Sequence, residues 1–421
     1  MRALWSIALT SAAISLWSGF ACSEPQPLWG LTLAYPGAVI TDLVGIRVGC
    51  DGTVGVLAEL ERRQTPKRNG DFRREYGVAL VSQDGGLLGW IDYTTRHWDS
   101  GGRRGKSTLC AQALGPIMCT QTGAHVVDSY DYNKDNMVAD DLHYFLFSVR
   151  ALPLSGSERG TWGTGLPSEH GGSFVADLGP TTDCGALLFI RAERCPYNWP
   201  DDECVDSVTA GPGSYLAFLN YEGQLRSLWT VTPRRPPDAF CDLPDGSIVV
   251  AFSSSLCWLN ADGVQRWETD LHAEGASVQE VLSIRLGAGD LIEVLYSAYV
   301  PAKDGGTSGR CDVHWAVIDS LGHVLVDWRL ISTVEYWLRE VVSLPHQGYV
   351  GLFRSEVTGL DCLMPIGLRS EGEWVLPIGA AWSTKGMDYE PGVGIVIARQ
   401  VSSVGSDSAR WLLECISTAP P

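Results

Sequence analysis

The chain has 421 residues and a formal net charge of −18, with 45% hydrophobic and 19% charged residues. That much apolar side chain excludes a disordered chain, and the negative charge, which repels phosphate, argues against nucleic acid as a partner. Sixteen tryptophans and 47 glycines suit an all-β chain with many turns and large aromatic core residues.

Residues 1–21 read as a signal peptide. Arg2 is its positive start, Ala3 to Trp17 is mostly apolar, and Gly19 and Ala21 are the small residues before a cut after Ala21. No later window holds about 18 unbroken apolar residues, so residues 22–421 are expected to be exported without a transmembrane helix. The expected location is periplasmic, anchored to the outer membrane, or extracellular. Cys22 resembles the lipidated cysteine of bacterial lipoprotein signals, although Gly19 stands where that family prefers an aliphatic residue. The resemblance implies lipidation of Cys22 and membrane contact through that anchor alone. Ordinary signal-peptide cleavage is the alternative.

From Pro25 to Leu43 the chain reads as strand and turn, with Leu28 to Ala34 strand-like. A pattern then starts and recurs. Cys50-Asp51-Gly52 leads into Val54 to Leu60. After the polar insertion Glu61 to Arg74 comes a second strand, Tyr76 to Val81, then Asp84-Gly85-Gly86 and Trp90. In the second copy, Gly115-Pro116 leads into Ile117 to Cys119, then Tyr144 to Val149 and Trp162. In the third, Cys184-Gly185 leads into Ala186 to Ile190, then Tyr215 to Leu219, Glu222-Gly223 and Trp229. The fourth, Asp238 to Leu271, is the clearest. Asp245-Gly246 precedes Ile248 to Phe252, Ser253 to Ser255 connects to Leu256 to Leu259, and Asp262-Gly263 precedes Trp267. Asp-Gly between short apolar runs is a strong hairpin signal, because glycine reaches positive φ without a Cβ clash. The fifth copy runs through Leu291 to Tyr296, Val313 to Ile318, Gly322 and Trp328. The sixth runs through Tyr349 to Phe353, Cys362 to Leu368, Gly372 and Trp374, and the last through Val393 to Ala398 and Trp411 to Ile416.

Seven copies of a short-strand unit predict a single all-β domain over residues 22–421, a β-propeller of seven blades with four antiparallel strands each. Six or eight blades stay open, and a sandwich or two β-domains is the alternative. Leu28 to Ala34 and the C-terminal strand are expected to share a blade and close the ring. The tryptophans recurring after the second turn (90, 229, 267, 328 and 374) are expected to pack between blades.

Twelve cysteines in an exported chain read first as disulfides. The local pairs expected are Cys195 with Cys204, Cys110 with Cys119, and Cys241 with Cys257, each worth roughly 2–4 kcal/mol. The absence of CxxC leaves a thioredoxin-like site, c-type haem or zinc ribbon without support.

Leu259 to Trp267, LNADGVQRW, resembles the docking repeat of pyrroloquinoline-quinone-like propellers, in which a glycine and a tryptophan four residues later lock neighbouring blades. Gly86 and Trp90 keep the spacing, while Gly223 with Trp229 and Gly322 with Trp328 are longer by two. The resemblance implies a scaffold shared by quinoprotein dehydrogenases and by outer-membrane-assembly scaffold lipoproteins. A vicinal cysteine pair, common in the dehydrogenases, is absent from this chain.

Asp131, Asn133 and Asp135 alternate as oxygen ligands like the start of a calcium loop, with Asp140 as the later acid. Asn136 stands where an EF-hand has glycine and Ala139 where a propeller calcium loop has its acid, so a solvated acidic loop is the competing reading. Calcium is the one cofactor the sequence offers. Gly101 to Ser107, GGRRGKS, is one residue short of a phosphate loop. Asp201, Asp202, Glu203 and Asp206 read as an acidic rim patch, and no HExxH or GxSxG occurs. With no nucleophile identified, the expected function is a non-enzymatic protein-binding or scaffolding module of the bacterial cell envelope. Recognition would rest on the insertions Glu61 to Arg74, Leu152 to His170 and Cys195 to Cys204. The alternatives are a quinone-dependent oxidoreductase, a propeller glycosidase, or a carbohydrate-binding lectin.

Overall fold

The clearest copy in the sequence is a complete blade. Ala239–Asp242 adds a first strand, and Ile248–Phe252, Ser255–Leu259 and Gln265–Asp270 follow it in one sheet. The tight turn comes from Asp245-Gly246: Gly246, at φ 81°, donates its amide to Leu243 O at 2.9 Å, and Leu243 donates to Ser247 O. Ile248–Phe252 is buried along its whole length because its two faces meet different neighbouring blades.

The computed structural model describes residues 27–417 except 62–74, 95–107, 134–142, 157–158, 164–172, 193–212, 233–234, 302–309, 334–335, 345–347, 356, 367–375, 381–383, 391–392 and 402–409. Seven four-stranded antiparallel sheets form the ring. The chain starts with β1 (Pro27–Leu33). Blade 1 is β2 (Val39–Val48), β3 (Val54–Glu61), β4 (Glu75–Val81) and β5 (Leu87–Thr94). Blade 2 is β6 (Thr108–Thr120), β7 (Gly123–Asn133), β8 (His143–Pro153) and β9 (Arg159–Gly163). Blade 3 is β10 (Ser173–Pro180), β11 (Ala186–Ala192), β12 (Gly213–Leu219) and β13 (Leu225–Val231). Blade 4 is β14 (Ala239–Asp242), β15 (Ile248–Phe252), β16 (Ser255–Leu259) and β17 (Gln265–Asp270). Blade 5 is β18 (Ser277–Leu286), β19 (Ile292–Val300), β20 (Arg310–Ile318) and β21 (Val324–Thr333). Blade 6 is β22 (Tyr336–Leu344), β23 (Gly348–Ser355), β24 (Leu360–Ile366) and β25 (Leu376–Ala380). Blade 7 is β26 (Thr384–Glu390), β27 (Gly394–Val401) and β28 (Arg410–Ile416), completed by β1 at its edge. The register Trp29↔Cys415, Leu31↔Leu413 closes the ring with the two ends of the chain, as the sequence predicts. Among the described residues one 3₁₀ turn, Ala288–Asp290, interrupts the strands, and no helix is long and apolar enough to cross a membrane.

Each of the seven blade interfaces has its own apolar cluster. In β11, Leu187 and Phe189 face blade 4, while Ala186, Leu188 and Ile190 face blade 2. In β15, Val249 and Ala251 face blade 5, while Ile248, Val250 and Phe252 face blade 3. The first strands of neighbouring blades touch one another around the ring and so form its centre.

Tryptophans lock some of these interfaces. Trp29 lies over Gly85 of blade 1 and donates Nε1 to Gln83 O at 2.9 Å. Trp229 lies over Gly263 of blade 4. Trp267 lies over Gly322 of blade 5 and donates to Ser320 O at 3.2 Å. Each blade 4 residue of the Gly263–Trp267 pair therefore serves a different interface: the glycine receives one neighbour's ring and the tryptophan reaches the other neighbour. Trp90 also packs at an interface, against the apolar cluster between blades 7 and 1 and edge-on to Tyr35 of the β1–β2 connection, centroids 5.2 Å apart; the receiving glycine of that turn is Gly85, not Gly86. Trp374 lies outside the described residues.

Leu152 to His170 is not one insertion. It holds the end of β8, a turn, the edge strand β9 and the start of the connection to β10.

Candidate functional site

Antiparallel succession sorts the connections between two ends of the ring. The first-to-second and third-to-fourth strand turns lie at one end. The connections containing 62–74, 164–172 and 193–212 leave strands at the opposite end.

At the centre, acids come from several blades, and most accept a backbone amide of a neighbour. Asp51 Oδ2 accepts Gln121 N at 3.1 Å, linking blades 1 and 2. Asp242 Oδ2 accepts Thr182 N at 2.7 Å and its hydroxyl at 2.5 Å, linking blades 4 and 3. Asp238 Oδ2 accepts Val281 N at 3.3 Å across blades 4 and 5, and Ser253 N at 2.9 Å. Glu340 Oε2 accepts Met387 N at 2.8 Å across blades 6 and 7, and Asp388 Oδ2 accepts Val48 N at 2.8 Å across blades 7 and 1. Across blades 5 and 6 the link is a cation: Arg285 Nη1 donates to Leu344 O at 3.1 Å and Gly348 O at 3.2 Å, with its guanidinium paired to Glu293 at 2.6 Å. Chemically this belt joins blades. Burial pushes the Asp238 and Glu340 carboxyls above the usual carboxylate range. Glu280 reaches solvent, yet partial burial and then the charge of Asp238 push its carboxyl up too.

Among the described residues a concave feature lies at the tight-turn end, where blades 1, 2 and 3 meet. It is a cleft of about 890 Å³. Ile117, Met118, Ala124 and Leu152, all nearly inaccessible, form its floor. Its polar lining holds three carboxylates, Asp51, Asp183 and Glu222, against one guanidinium, Arg47, which pairs with Asp388 at 3.9 Å. The acids are anchored: Asp51 Oδ1 also accepts Thr53 N at 3.0 Å, and Asp183 pairs with Arg226. A disulfide, Cys50–Cys184, crosses the mouth from the β2–β3 turn of blade 1 to the β10–β11 turn of blade 3, Cα to Cα 5.8 Å. The thiol of Cys119 lines the same cleft. It is buried against Gly49 and Gly55, donates to Arg47 O at 3.2 Å and Thr53 O at 3.1 Å, and is pushed up to about 12 by desolvation.

The sequence-derived cysteine pairs are corrected by the strand order. Cys110 and Cys119 lie on one strand, β6, nine residues apart, which is about 30 Å of extended chain. Cys241 and Cys257 are separated by β15, pairing with Val249 and Val250, and point to opposite faces, toward blades 5 and 3. Cys119, Cys241 and Cys257 are free thiols. Cys195, Cys204 and Cys22 lie outside the described residues. So do Asp135 and Asp140 of the acidic loop, whereas Asp131 and Asn133 close β7, opposite Cys110 and Thr108 of β6. Among the described residues no three His, Cys, Asp or Glu side chains group as a metal site. The observed disulfide escaped sequence reading. Its signal was positional: both cysteines fall in the turn opening the second strand of their copies.

No family model matches the chain, and no curated protein does. Solved structures are similar to it at low identity. A protein of unknown function from Bacteroides caccae is 11% identical, with a TM-score of 0.29, over 44% of this chain and 61% of that one. A protein of unknown function from Dyadobacter fermentans is 11% identical, TM-score 0.40, over 75% and 96%. BamB from Moraxella catarrhalis is 10% identical, TM-score 0.27, over 79% and 97%.

Proposed function

We propose that this protein is a non-enzymatic, exported propeller of the bacterial cell envelope, entering by the signal peptide of residues 1–21, that binds a partner protein through the cleft between blades 1, 2 and 3. The observation that carries the reading is the cleft itself: an apolar floor, an acidic rim, and room for several side chains. Its occupant is an extended apolar segment of neutral or basic charge, since the lining guanidinium Arg47 is paired with Asp388, Asp183 with Arg226, and Asp51 and Glu222 add two further carboxylates to a chain that carries −18. The central acids support it too, because hydrogen bonds to neighbouring blades employ them structurally. The tryptophan-on-glycine contacts accord with a repeat of the pyrroloquinoline-quinone-like type, and Cys22 is the proposed lipid anchor.

A photo-crosslinking amino acid at Tyr221, 63% exposed on the cleft rim, tests this against one at Val357, 74% exposed at the opposite end. The expected result is an adduct from position 221 whose mapped peptide is apolar and uncharged or basic, and which that synthetic peptide competes away. Adducts from position 357 alone would move recognition to the long connections. A second reading, a glycosidase, rests on two carboxyls brought together across blades 4 and 5, Asp238, which accepts Val281 N, and the adjacent solvent-exposed Glu280, whose carboxyl is pushed up as the acid member of such a pair requires. It predicts glycan hydrolysis lost in Glu280→Gln.

A further inference from the structure

The disulfide at the cleft has three features that point beyond simple bracing. Its bond closes a loop of 134 residues containing all of blade 2, so it joins two blades that are not neighbours in the ring. Both half-cystines are solvent-exposed. Cys184 also has an unusual backbone, at φ 66°. Its amide donates to Thr181 O at 3.0 Å, the same bond that Gly52 makes to Gly49 O and Gly246 to Leu243 O in blades 1 and 4. Those two positions are glycines, at φ 77° and 81°. Blade 3 thus places a cysteine in a left-handed slot that disfavours any residue with a Cβ, and it is this cysteine that reaches blade 1.

We infer that Cys50–Cys184 is a redox-responsive strap across the cleft, and that its reduction by an external dithiol lets the turns of blades 1 and 3 part and exposes the apolar floor contributed by blade 2. A thiolate of the dithiol attacks one exposed sulfur and forms a mixed disulfide. Its second thiol then displaces that bond. The reagent leaves as a disulfide, and Cys50 and Cys184 take up two electrons and two protons to become thiols. Cys119, although it lines the cleft, is not the attacking group: it is buried and hydrogen-bonded to two carbonyls. The change stays local because carboxylate and arginine staples hold other interfaces, Asp388 at blades 7 and 1, Glu340 at 6 and 7, Arg285 at 5 and 6. The biological meaning of opening rests on the reading of the cleft as a partner site; the opening itself does not.

The test uses the full chain purified without reductant, then treated with dithiothreitol. Mass spectrometry after alkylation identifies the freed cysteines, and amide hydrogen exchange follows residues 117–126 and 180–186. Expected are labelling of Cys50 and Cys184 with Cys119 protected, and at least about tenfold faster exchange in those segments while blades 5 and 6 keep theirs. The pair Cys50→Ala with Cys184→Gly should show the fast exchange without reductant, since glycine suits that backbone. Free Cys50 and Cys184 before reduction, unchanged exchange after it, or equal acceleration in every blade would each overturn the strap. Cross-linking yield at position 221 separates the two readings. Faster exchange with no change in partner adduct keeps the strap and counts against the partner site.

Discussion

Alanine at Gly263 should cost far more than alanine at Gly246, although the two glycines have the same backbone. Gly246 sits at φ 81° and Gly263 at φ 79°, each in a tight turn of blade 4. A Cβ in this region is disfavoured by about 1–2 kcal/mol. At Gly246 that is the whole cost, because the nearest atom to a built Cβ is Ala261 Cβ at 3.5 Å, an ordinary contact. At Gly263 the Cβ would lie 2.6 Å from Trp229 Cγ and 2.9 Å from its Cβ, so the ring or the whole blade edge must move. Overpacking of this kind costs about 1–3 kcal/mol more. Gly246→Ala is therefore expected to lose about 1–2 kcal/mol and Gly263→Ala about 2–5 kcal/mol, read from urea unfolding followed by far-ultraviolet circular dichroism. The excess belongs to the contact with Trp229. A double-mutant cycle with Trp229→Ala should show a coupling of about 1–3 kcal/mol, because without the ring there is nothing to strike. Equal losses at the two glycines, with no coupling, would refute the idea that tryptophan on glycine locks blade 3 to blade 4.

Asp361 is fully buried and holds the half-buried Arg339 at 3.1 Å while accepting Thr384 N at 3.2 Å; Asp361→Ala should lose about 1–3 kcal/mol in the same unfolding assay, because it leaves the Thr384 amide and one side of the guanidinium without an acceptor. Glu340, held above the usual range by burial, favours its protonated form in the fold. Its stabilising contribution is present below the unfolded carboxylate pKa and is lost as pH rises through the folded one, so Glu340→Gln should help stability more at pH 7 than at pH 4, measured as paired urea midpoints. If Asp131, Asn133, Asp135 and Asp140 hold calcium, millimolar calcium should raise the melting temperature and Asp135→Asn should abolish the rise; no rise leaves the segment a solvated acidic loop.

Blade number and ring closure were legible because second strands announce themselves. Val54 to Ala58 and Ile248 to Phe252 are continuous apolar runs behind a Gly-containing turn, and both are buried on two faces. First strands are harder to see. Ala239–Asp242 has four residues, and Ser277–Leu286 is broken by two bulges, between Val278 and Glu280 and between Val281 and Ser283, which disrupt the alternation that marks a strand. Losing the first strand shifts the blade phase. That shift made Cys241 and Cys257 look adjacent and hid β9 inside an apparent insertion. The cleft was illegible for a related reason: its walls come from turns of three blades that share no motif, and only the ring brings them together.

The contrast between staple and strap bears on why a covalent bond is found in this sector. Asp242, Glu340 and Asp388 each hold a neighbour by accepting an amide, a non-covalent contact that reforms whenever the blades touch. Cys50–Cys184 differs in reach as well as in kind. It skips a blade, lies at the surface, and crosses a cavity whose floor is apolar. A bond meant only to stiffen the ring would do so as well between adjacent blades, and without forcing Cys184 into a glycine's conformation. Placed where it is, its presence sets how far blades 1 and 3 can separate and hence how much of Ile117, Met118 and Leu152 water or a partner can reach. The ring can lose that restraint and remain a ring, because its closure by β1 and β28 lies in blade 7, outside the strapped sector.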